Sequence, residues 1–450
     1  MTELRSAPGP KGHWLLGSLP DYSDDIIKLF LESVDQYGDI VRFRLANRYA
    51  YLVRSPAEIE HVLKSRHKYY NKNTHGIRRV KEFLGDGLVT SWGSIWKRQR
   101  RIVQQAFRKK TLLEMDVSFV DAAEFTKQAW TREIESGGEI NITESMMRHT
   151  VRTASSTMFN TKMSEKADRV IGAFVSMNEL VNERIPRIFN APLWIPTAEN
   201  RAFLHFNSTI HATIQELIAE RRDNPVEAND LLGLLMEARD EETGEGFSDD
   251  ELRYQLITLL VGGFDTSANV LSFTLYSLAA NPHILHEVRE EAKRVLGSEM
   301  PEARHIPALE YTGRVIAESL RLYPPVWLFG RNALEDDMIG GYEIPKGSLV
   351  MVPPFVAHRH PTHWPDPEVF SPDRHLPENR KDAPKFSYFP FGGGPRQCVG
   401  MGYANVQLPL TIAHLARSFE LEVPDDYELR LRPAVTLGTD GPIRLNVKPV

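Results

Sequence analysis

The stretch that decides the fold is FGGGPRQCVG, residues 391–400, because it holds the only cysteine among 450 residues. A single cysteine has no partner for an intramolecular disulfide, so its thiol is available for other chemistry. Glycines at 392–394 allow positive φ angles and a close approach of the backbone to a bulky, flat ligand. We expect a helix to begin at Val399, which places Cys398 at its N-terminus. The helix dipole and Arg396 would then both lower the thiol pKa and favour an anionic sulfur.

The spacing of five residues in this stretch resembles the haem-binding signature of the cytochrome P450 family, the haem-thiolate monooxygenases. The signature F-x-x-G-x-R-x-C-x-G is filled by Phe391, Gly394, Arg396, Cys398 and Gly400. Five matched positions in ten argue strongly against the alternative, an inert thiol packed in a core. The resemblance implies that Cys398 ligates the iron of haem b and that the other four residues bind the same cofactor.

Composition and charge indicate a globular protein with a sizeable core. The chain is 42% apolar and has a net charge of −6, with basic residues balanced by acidic ones along most of its length. This balance argues against a nucleic-acid partner. Residues 1–18 are too polar for a signal peptide or membrane anchor, and the apolar runs look shorter than a bilayer span requires. We therefore expect a cytoplasmic protein, and a monomer. The resemblance implies the soluble bacterial type of the family, built as a single domain over residues 1–450.

Hydrophobic periodicity predicts a mainly α fold with small β-sheets, an α+β architecture. Apolar residues alternate around a turn between residues 38 and 53, which predicts a β-hairpin. Helical patterns dominate residues 95–297, and β-type alternation returns over residues 339–352 and 429–447. The resemblance covers essentially the whole chain and implies the cytochrome P450 fold, in which a long central helix lies over the haem.

The bounds of the central helix are marked in the sequence. Ser248, with Glu251 three residues later, predicts a capping box at its start, and Asn281-Pro282 predicts its end. The intervening residues are apolar nearly all round, which is typical of a helix buried in a core.

Two glycines and two polar residues break the rules of a buried helix at its centre. Gly262 and Gly263 are unfavourable in a helix interior, and Asp265 and Thr266 bring a carboxylate and a hydroxyl into an apolar setting. The run resembles the oxygen-activation motif of the family. This resemblance implies that the glycines leave room for O2 beside the haem iron, that Thr266 hydrogen-bonds to it and that Asp265 relays protons. Alternatively, Thr266 bonds to a carbonyl one turn earlier and Asp265 pairs with a structural cation.

Three charged residues match a structural cluster of the family. Glu318 and Arg321 lie at i and i+3 on a predicted helix, where such a pair is usually a solvated salt bridge of little value. They match the E-x-x-R motif, and Arg374 matches the third member of the cluster. The resemblance implies that all three stabilise the region behind the haem and have no catalytic role.

The two propionates of haem need cations or strong hydrogen-bond donors. Trp96 and Arg100 form a W-x-x-x-R pattern, and with Arg331 and Arg396 they resemble the propionate-binding positions of the family. Trp96 could equally be a core aromatic residue, and Arg100 could be a surface charge.

The predicted substrate walls are mainly apolar, which indicates a lipophilic molecule such as a fatty acid, terpenoid, polyketide or xenobiotic. The predicted wall residues are Val261, Phe264, Val326, Leu328, Val435 and Leu437. Three basic residues, Arg78, Arg79 and Lys81, could anchor a substrate carboxylate, but basic surface loops are common.

Electrons are expected from a separate protein, because the chain has no Gly-rich dinucleotide-binding motif. The resemblance implies a ferredoxin with its reductase, or a flavodoxin-type protein, as the donor. Seven basic residues between Lys97 and Lys110 form a candidate docking surface, although a charge run is more often a solvated face.

The resemblance implies a monooxygenase that inserts one atom of O2 into its substrate by hydroxylation or epoxidation. A peroxide-driven peroxygenase is the first alternative, for which an acid-anchoring arginine in the central helix is expected; residues 261–267 contain none. A haem-thiolate sensor is the second, and it would require neither the threonine nor a deep apolar pocket.

Overall fold

The computed structural model describes residues 5–135, 137, 139–159, 165–184, 190–225 and 229–450. Helix makes up 58% of the structure and the sheets are small, which confirms the predicted fold class. The α-helices of the described residues are α1 (Leu19–Asp24), α2 (Ile26–Tyr37), α3 (Pro56–Glu60), α4 (His75–Leu84), α5 (Gly93–Ala106), α6 (Lys109–Leu113), α7 (Asp116–Glu135), α8 (Ile142–Phe159), α9 (Glu165–Arg184), α10 (Ala198–Asp223), α11 (Leu231–Glu237), α12 (Asp249–Ala280), α13 (Pro282–Leu296), α14 (Glu310–Leu322), α15 (Pro354–Ala357), α16 (Pro377–Arg380) and α17 (Met401–Ser418).

The strands of the described residues form one five-stranded sheet and three smaller ones. They are β1 (Ile40–Leu45), β2 (Arg48–Val53), β3 (Tyr70–Asn71), β4 (Ile140–Asn141), β5 (Phe329–Ala333), β6 (Asp337–Ile339), β7 (Tyr342–Ile344), β8 (Leu349–Val352), β9 (Phe419–Glu422), β10 (Leu431–Pro433), β11 (Leu437–Thr439) and β12 (Arg444–Pro449). The large sheet has the order β1-β2-β8-β5-β3. The predicted hairpin is confirmed, with Ile40 opposite Val53 and Leu45 opposite Arg48.

Helix α12 is the predicted central helix. The Ser248 hydroxyl accepts the N–H of Glu251, the Glu251 carboxylate accepts the N–H of Ser248, and Asn281 follows the last turn, so both predicted ends are confirmed. Its N-terminal half packs into one hydrophobic cluster up to Phe264, and its C-terminal half packs into a second cluster from Ala268 onward. The polar centre of the helix therefore lies where the two halves of the core meet.

By length and composition, α12 is apolar enough to cross a membrane, so the expectation that every apolar run is too short was wrong for this helix. In its most apolar window, 67% of the residues are buried inside the protein. A helix at the centre of a large core is apolar for the same reason as a membrane span, since both lack contact with water.

The helix after the cysteine begins slightly later than predicted. Its first residue is Met401 rather than Val399, and Gly400 occupies the N-cap. Cys398 lies two residues before that cap, and its backbone N–H donates to the carbonyl of Phe391 at 2.9 Å. This bond closes the loop that precedes α17.

The three glycines of the cysteine loop have different reasons to be glycine. Gly392 and Gly394 have positive φ angles of 69° and 65°, as predicted, but Gly393 is extended. At Gly393 a Cβ would lie 2.3 Å from the Phe386 ring, and at Gly394 it would lie 2.1 Å from the carbonyl oxygen of Leu63. Gly393 and Gly394 therefore allow protein to pack against protein, and not against a ligand as expected.

Candidate active site

A cavity of about 1690 Å³ lies between the cysteine loop, the centre of α12 and the residues around β5. Small-molecule sites usually occupy about 300–1,000 Å³, so this one has room for a large cofactor and a substrate together. Cys398, Gly262, Gly263, Asp265 and Thr266 all line it. The structure thus brings together the two motifs that the sequence separates by more than a hundred residues.

Cys398 is exposed to this cavity, although protein atoms surround the residue. Burial raises the pKa of its thiol, while backbone N–H groups of Gly400 and Met401 donate hydrogen bonds to the sulfur and act in the opposite direction. The predicted net lowering of the thiol pKa was therefore wrong for the protein alone. The two N–H donors at the start of α17 are nevertheless suited to a thiolate, which accepts such bonds more strongly than a thiol.

The cations beside the sulfur differ from the prediction. Arg100 and Lys72 are the positive charges that act on the Cys398 thiol, and Arg396 is not among those that affect its pKa most. Lys72 lies in the loop before α4 and donates from Nζ to the carbonyl of Val89 at 3.0 Å. Sequence reasoning missed it because no motif marks a lone lysine in an irregular stretch.

Lys72, Arg100, Arg331 and Arg396 line the cavity and make no ion pair with an acid among the described residues. Arg331 is only 7% exposed and reaches just its neighbour's carbonyl, and burial lowers its pKa to about 10. Burial, together with the charges of Arg331 and Arg100, lowers the pKa of Arg396 to about 9. Buried cations without counter-charges are costly, so the cavity is suited to an anionic ligand.

Trp96 and Arg100 hold the cysteine loop from one face of α5. The guanidinium of Arg396 lies 3.8 Å from the centre of the Trp96 ring and donates to the Ser91 carbonyl at 3.0 and 3.1 Å. Arg100 donates to the Gln397 carbonyl at 2.8 Å. Both residues line the cavity, and Trp96 also packs against a hydrophobic cluster of the core.

These features fit a haem group. A thiol with N–H support faces the cavity, and four cations are available to two propionates. At Gly262 and Gly263 a Cβ would meet no atom within 4 Å, so α12 presents open space on the side of the cavity. Side chains larger than hydrogen would project into the volume that a flat cofactor and a small gas need.

Thr266 makes the contact that sequence reasoning gave as the alternative. Its hydroxyl donates to the carbonyl of Gly262, one turn earlier, at 2.6 Å. A hydroxyl has one proton, so in this geometry Thr266 can accept but cannot donate a second hydrogen bond. Donation to O2 would require that the bond to Gly262 be exchanged.

Asp265 is 5% exposed and makes no ion pair among the described residues, so the alternative of a structural cation partner was wrong. Its carboxylate accepts hydrogen bonds from Asn178 Nδ2 at 2.9 Å and from Thr436 Oγ1 at 2.6 Å. Burial raises its pKa, and the two donors act in the opposite direction. A carboxyl with a raised pKa is better suited to carry a proton near neutral pH.

Four of the six predicted wall residues line the cavity, and two lie away from it. Val261, Val326, Leu328 and Val435 line the cavity. Phe264 does not, because it faces the core, where its ring centre lies 5.9 Å from that of Phe174.

Leu437 also lies away from the cavity: it is fully buried, and its N–H donates to the Pro325 carbonyl at 2.8 Å. Among the predicted cofactor residues, Phe391 and Gly400 line the cavity and Gly394 does not.

Glu318 and Arg321 form a buried charged cluster with two further residues. Arg374 Nε lies 3.4 Å from Glu318, and His375 Nε2 lies 2.9 Å from it. Burial raises the pKa of Glu318, but hydrogen bonds with Arg321 and His375 outweigh it and bring the pKa to about 2. His375 was missed, since a histidine next to Arg374 carries no signal of its own.

The basic run on α5 and α6 is only partly free. Arg98 lies 2.7 Å from Glu251, and Arg101 lies 2.5 Å from Asp240. The exposed cations of the run are Lys97, Arg108, Lys109 and Lys110.

Of the three candidate carboxylate anchors, Arg79 and Lys81 pair with Glu82 and Asp86, and only Arg78 lines the cavity.

Comparison with known proteins identifies the family. A sequence model of the family Cytochrome P450 matches residues 7–442. The chain is 33% identical over 425 residues to cyclooctatin synthase of Streptomyces melanosporofaciens, covering 93% of this chain and 91% of that protein. It is 31% identical over 435 residues to cyclooctat-9-en-7-ol 5-monooxygenase of the same organism, covering 94% and 93%.

A third relative contains an additional region. The chain is 32% identical over 464 residues to bifunctional cytochrome P450/NADPH–P450 reductase 2 of Bacillus subtilis, covering all of this chain and 43% of that protein. The chain therefore spans less than half of this relative. From the match over nearly its whole length, the chain belongs to the cytochrome P450 family. It is accordingly an oxidoreductase of the monooxygenase type, and the family implies a haem cofactor.

Proposed function

We propose that this protein binds haem b through Cys398 and inserts one atom of O2 into a lipophilic small molecule by hydroxylation or epoxidation. One observation carries the proposal: the only thiol and the glycine pair of α12 line the same large cavity. We further propose that residues 1–450 act as a single, monomeric, cytoplasmic unit.

In this proposal, Cys398 ligates the iron and the N–H groups of Gly400 and Met401 stabilise its thiolate. Lys72, Arg100, Arg331 and Arg396 bind the propionates, and Trp96 holds the Arg396 guanidinium in place. The haem supplies the oxidising chemistry, and thiolate ligation favours cleavage of the O–O bond.

The residues of α12 supply space and protons. Gly262 and Gly263 keep the region near the iron open. Thr266 would orient O2 by exchanging its bond to the Gly262 carbonyl for donation to O2, and Asp265 would deliver protons from a buried carboxyl. Val261, Val326, Leu328 and Val435 exclude water and hold the substrate by apolar contact.

A terpenoid of secondary metabolism is the substrate class that the relatives favour. The name of one relative describes oxygenation of a cyclic alcohol, cyclooctat-9-en-7-ol. The mainly apolar walls of the cavity suit such a molecule, and the single cavity-lining cation of the α4 region, Arg78, offers little to recognise a carboxylate.

Electrons come from a ferredoxin with its reductase or from a flavodoxin-type protein. Four cations of the basic run remain exposed: Lys97 on α5, and Arg108, Lys109 and Lys110 after it. Helix α5 contacts the cysteine loop, because its Arg100 donates to the Gln397 carbonyl. Acidic donors would be attracted to these charges. One relative joins both activities in a single chain, so the source of electrons varies among related proteins.

The decisive experiment is the absorption spectrum of the reduced, carbon monoxide-bound protein, compared among the wild type, Cys398→Ser and Cys398→His. We expect a strongly red-shifted Soret band in the wild type that is lost in Cys398→Ser. Cys398→His is the control for haem capacity, since it should bind haem with a histidine-type spectrum. A histidine-type band in the wild type would overturn the proposal. Product formation with hydrogen peroxide alone, and none with NADH and a redox partner, would instead identify a peroxygenase.

A further inference from the structure

The carboxyl of Asp265 is held by two neutral donors from different parts of the fold. Asn178 lies on α9, and Thr436 lies in the turn between β10 and β11. Thr436 also accepts a hydrogen bond from Asn269 Nδ2 at 3.2 Å, one turn further along α12. The acid is thus fixed at the point where three elements meet.

Helix α9 contacts the centre of α12 through residues on one of its faces. Phe174 and Asn178 are four residues apart, so they lie one above the other on the helix surface. Phe174 contacts Phe264, and Asn178 bonds to Asp265, the next residue of α12. An apolar contact and a hydrogen bond therefore seat α9 on the residue pair that precedes Thr266.

The same polar groups are accessible from the cavity. Asn178, Asp265 and Thr436 all line it, together with Val261 and Val435. A substrate that fills the cavity lies against the residues that hold the acid, and it can therefore affect them directly.

We propose that Asn178 and Thr436 are positioning residues that hold the Asp265 carboxyl for proton delivery, so that this delivery depends on the seating of α9 and of the β10–β11 turn. This inference rests on the proposed function. In the step itself, Asp265 gives one proton to oxygen that is being reduced and regains one from water. In between, the N–H of Asn178 and the O–H of Thr436 stabilise the carboxylate.

Removal of either donor should weaken Asp265 as an acid. The carboxyl is already buried, and no cation of the described residues pairs with it, so each neutral donor contributes much of the stabilisation of the charged form. Loss of one such bond is expected to raise the carboxyl pKa further, because burial then acts against one donor instead of two. Electrons from NADH would then reduce O2 to hydrogen peroxide, and less of the oxygen would be inserted into the substrate.

The test uses two matched pairs: Thr436→Val against Thr436→Ser, and Asn178→Leu against Asn178→Gln. The first member of each pair lacks the donor at similar volume, and the second retains it. We expect product per NADH to fall about threefold or more in Thr436→Val and Asn178→Leu, with a matching gain in hydrogen peroxide. Thr436→Ser retains the hydroxyl donor and should remain close to the wild type.

A second measurement is independent of turnover. The infrared C=O stretch of protonated Asp265 is assigned by its loss in Asp265→Asn and followed across a pH titration of the ferric protein. We expect the band to shift, and its midpoint to rise, in Thr436→Val but not in Thr436→Ser. An unchanged band and midpoint would overturn the inference even if the thiolate spectrum is present. Unchanged coupling in both donor-free variants would overturn it as well.

Discussion

Arg321 and Glu318 form a bidentate ion pair in which neither side chain is exposed to solvent. Arg321 Nε donates to Glu318 Oε2 at 2.8 Å, and its Nη2 donates to Oε1 at 2.9 Å. The same guanidinium also donates to the carbonyls of His358, Pro367 and Val369. One side chain of α14 thereby fixes two separate segments of the chain that leads to the cysteine loop.

Glu318→Gln is expected to destabilise the protein at neutral pH. The substitution leaves the Arg321 charge buried without a counter-ion, which typically costs about 3–5 kcal/mol. The measurement is the free energy of unfolding from urea denaturation at pH 7. Glu310→Gln, at an exposed acid on the same helix, is the control and should change this free energy little. Equal effects of the two substitutions would contradict a structural role for the pair.

The Glu318 pair should also contribute to acid sensitivity. The pKa of the Glu318 carboxyl falls from 4.5 to about 2 on folding. The stabilisation of the folded protein by this carboxylate is therefore fully present above about pH 4.5 and is lost as pH falls toward 2. The contribution is on the order of 3 kcal/mol. The unfolding free energy of Glu318→Gln should therefore decline less steeply over this window than that of the wild type. Parallel curves for the two proteins would refute the linkage.

Lys72→Met and Arg331→Met are each expected to weaken haem binding by about 10–100-fold, because each would remove a charge-assisted hydrogen bond that the proposed function assigns to a propionate. The measurement is the rate at which haem transfers to an acceptor protein in excess. Lys346→Met, at an exposed lysine in the turn between β7 and β8, is the matched control. If all three variants lose haem at the wild-type rate, the cations do not bind the cofactor.

Gly394→Ala should destabilise the cysteine loop strongly. A Cβ there would lie 2.1 Å from the Leu63 carbonyl oxygen, and the φ angle of 65° is itself unfavourable for alanine. Gly341→Ala is the control, since its φ angle is 83° but a Cβ would meet no atom within 4 Å. The control should show only backbone strain, about 1–2 kcal/mol. Thermal unfolding distinguishes the two, and a Gly394→Ala protein as stable as the control would refute the packing argument.

Charge reversal on the exposed basic residues tests the docking surface. Lys97→Glu combined with Lys109→Glu should raise the KM for an acidic electron donor, with less effect at high salt, because the attraction is electrostatic and screened. The measurement is the rate of haem reduction as a function of donor concentration and ionic strength. Lys346→Glu carries the same charge change on another surface. An equal effect from this control would show that only net charge matters.

Local sequence was sufficient for features that depend on neighbours in the chain. The capping box of Ser248 and Glu251, the hairpin over residues 38–53 and the fold class are all confirmed. Each depends on a fixed residue spacing or on a periodic pattern, because helices and strands repeat at fixed intervals along the chain.

Features that depend on approach between distant segments could not be read in this way. Phe264 has the composition of a wall residue, but the rotation of α12 turns it toward Phe174 and the core. Lys72 and Asn178 enter the site from segments without any motif. Gly393 has no positive φ, and only the neighbouring Phe386 ring explains its lack of a side chain.

The sequence by itself determined the family, the cysteine that faces the cavity and the helix that crosses the core, because each is recorded in residue types at fixed spacing. Only the tertiary structure decided which charges lie free in the cavity and which are neutralised. Arg98 and Arg101 resemble Arg100 in sequence, yet acids from distant segments of the chain pair with the first two, while Arg100 donates to the Gln397 carbonyl of the cysteine loop. Partners brought close by folding set the electrostatics of the site, and their distances cannot be read from the order of residues along the chain.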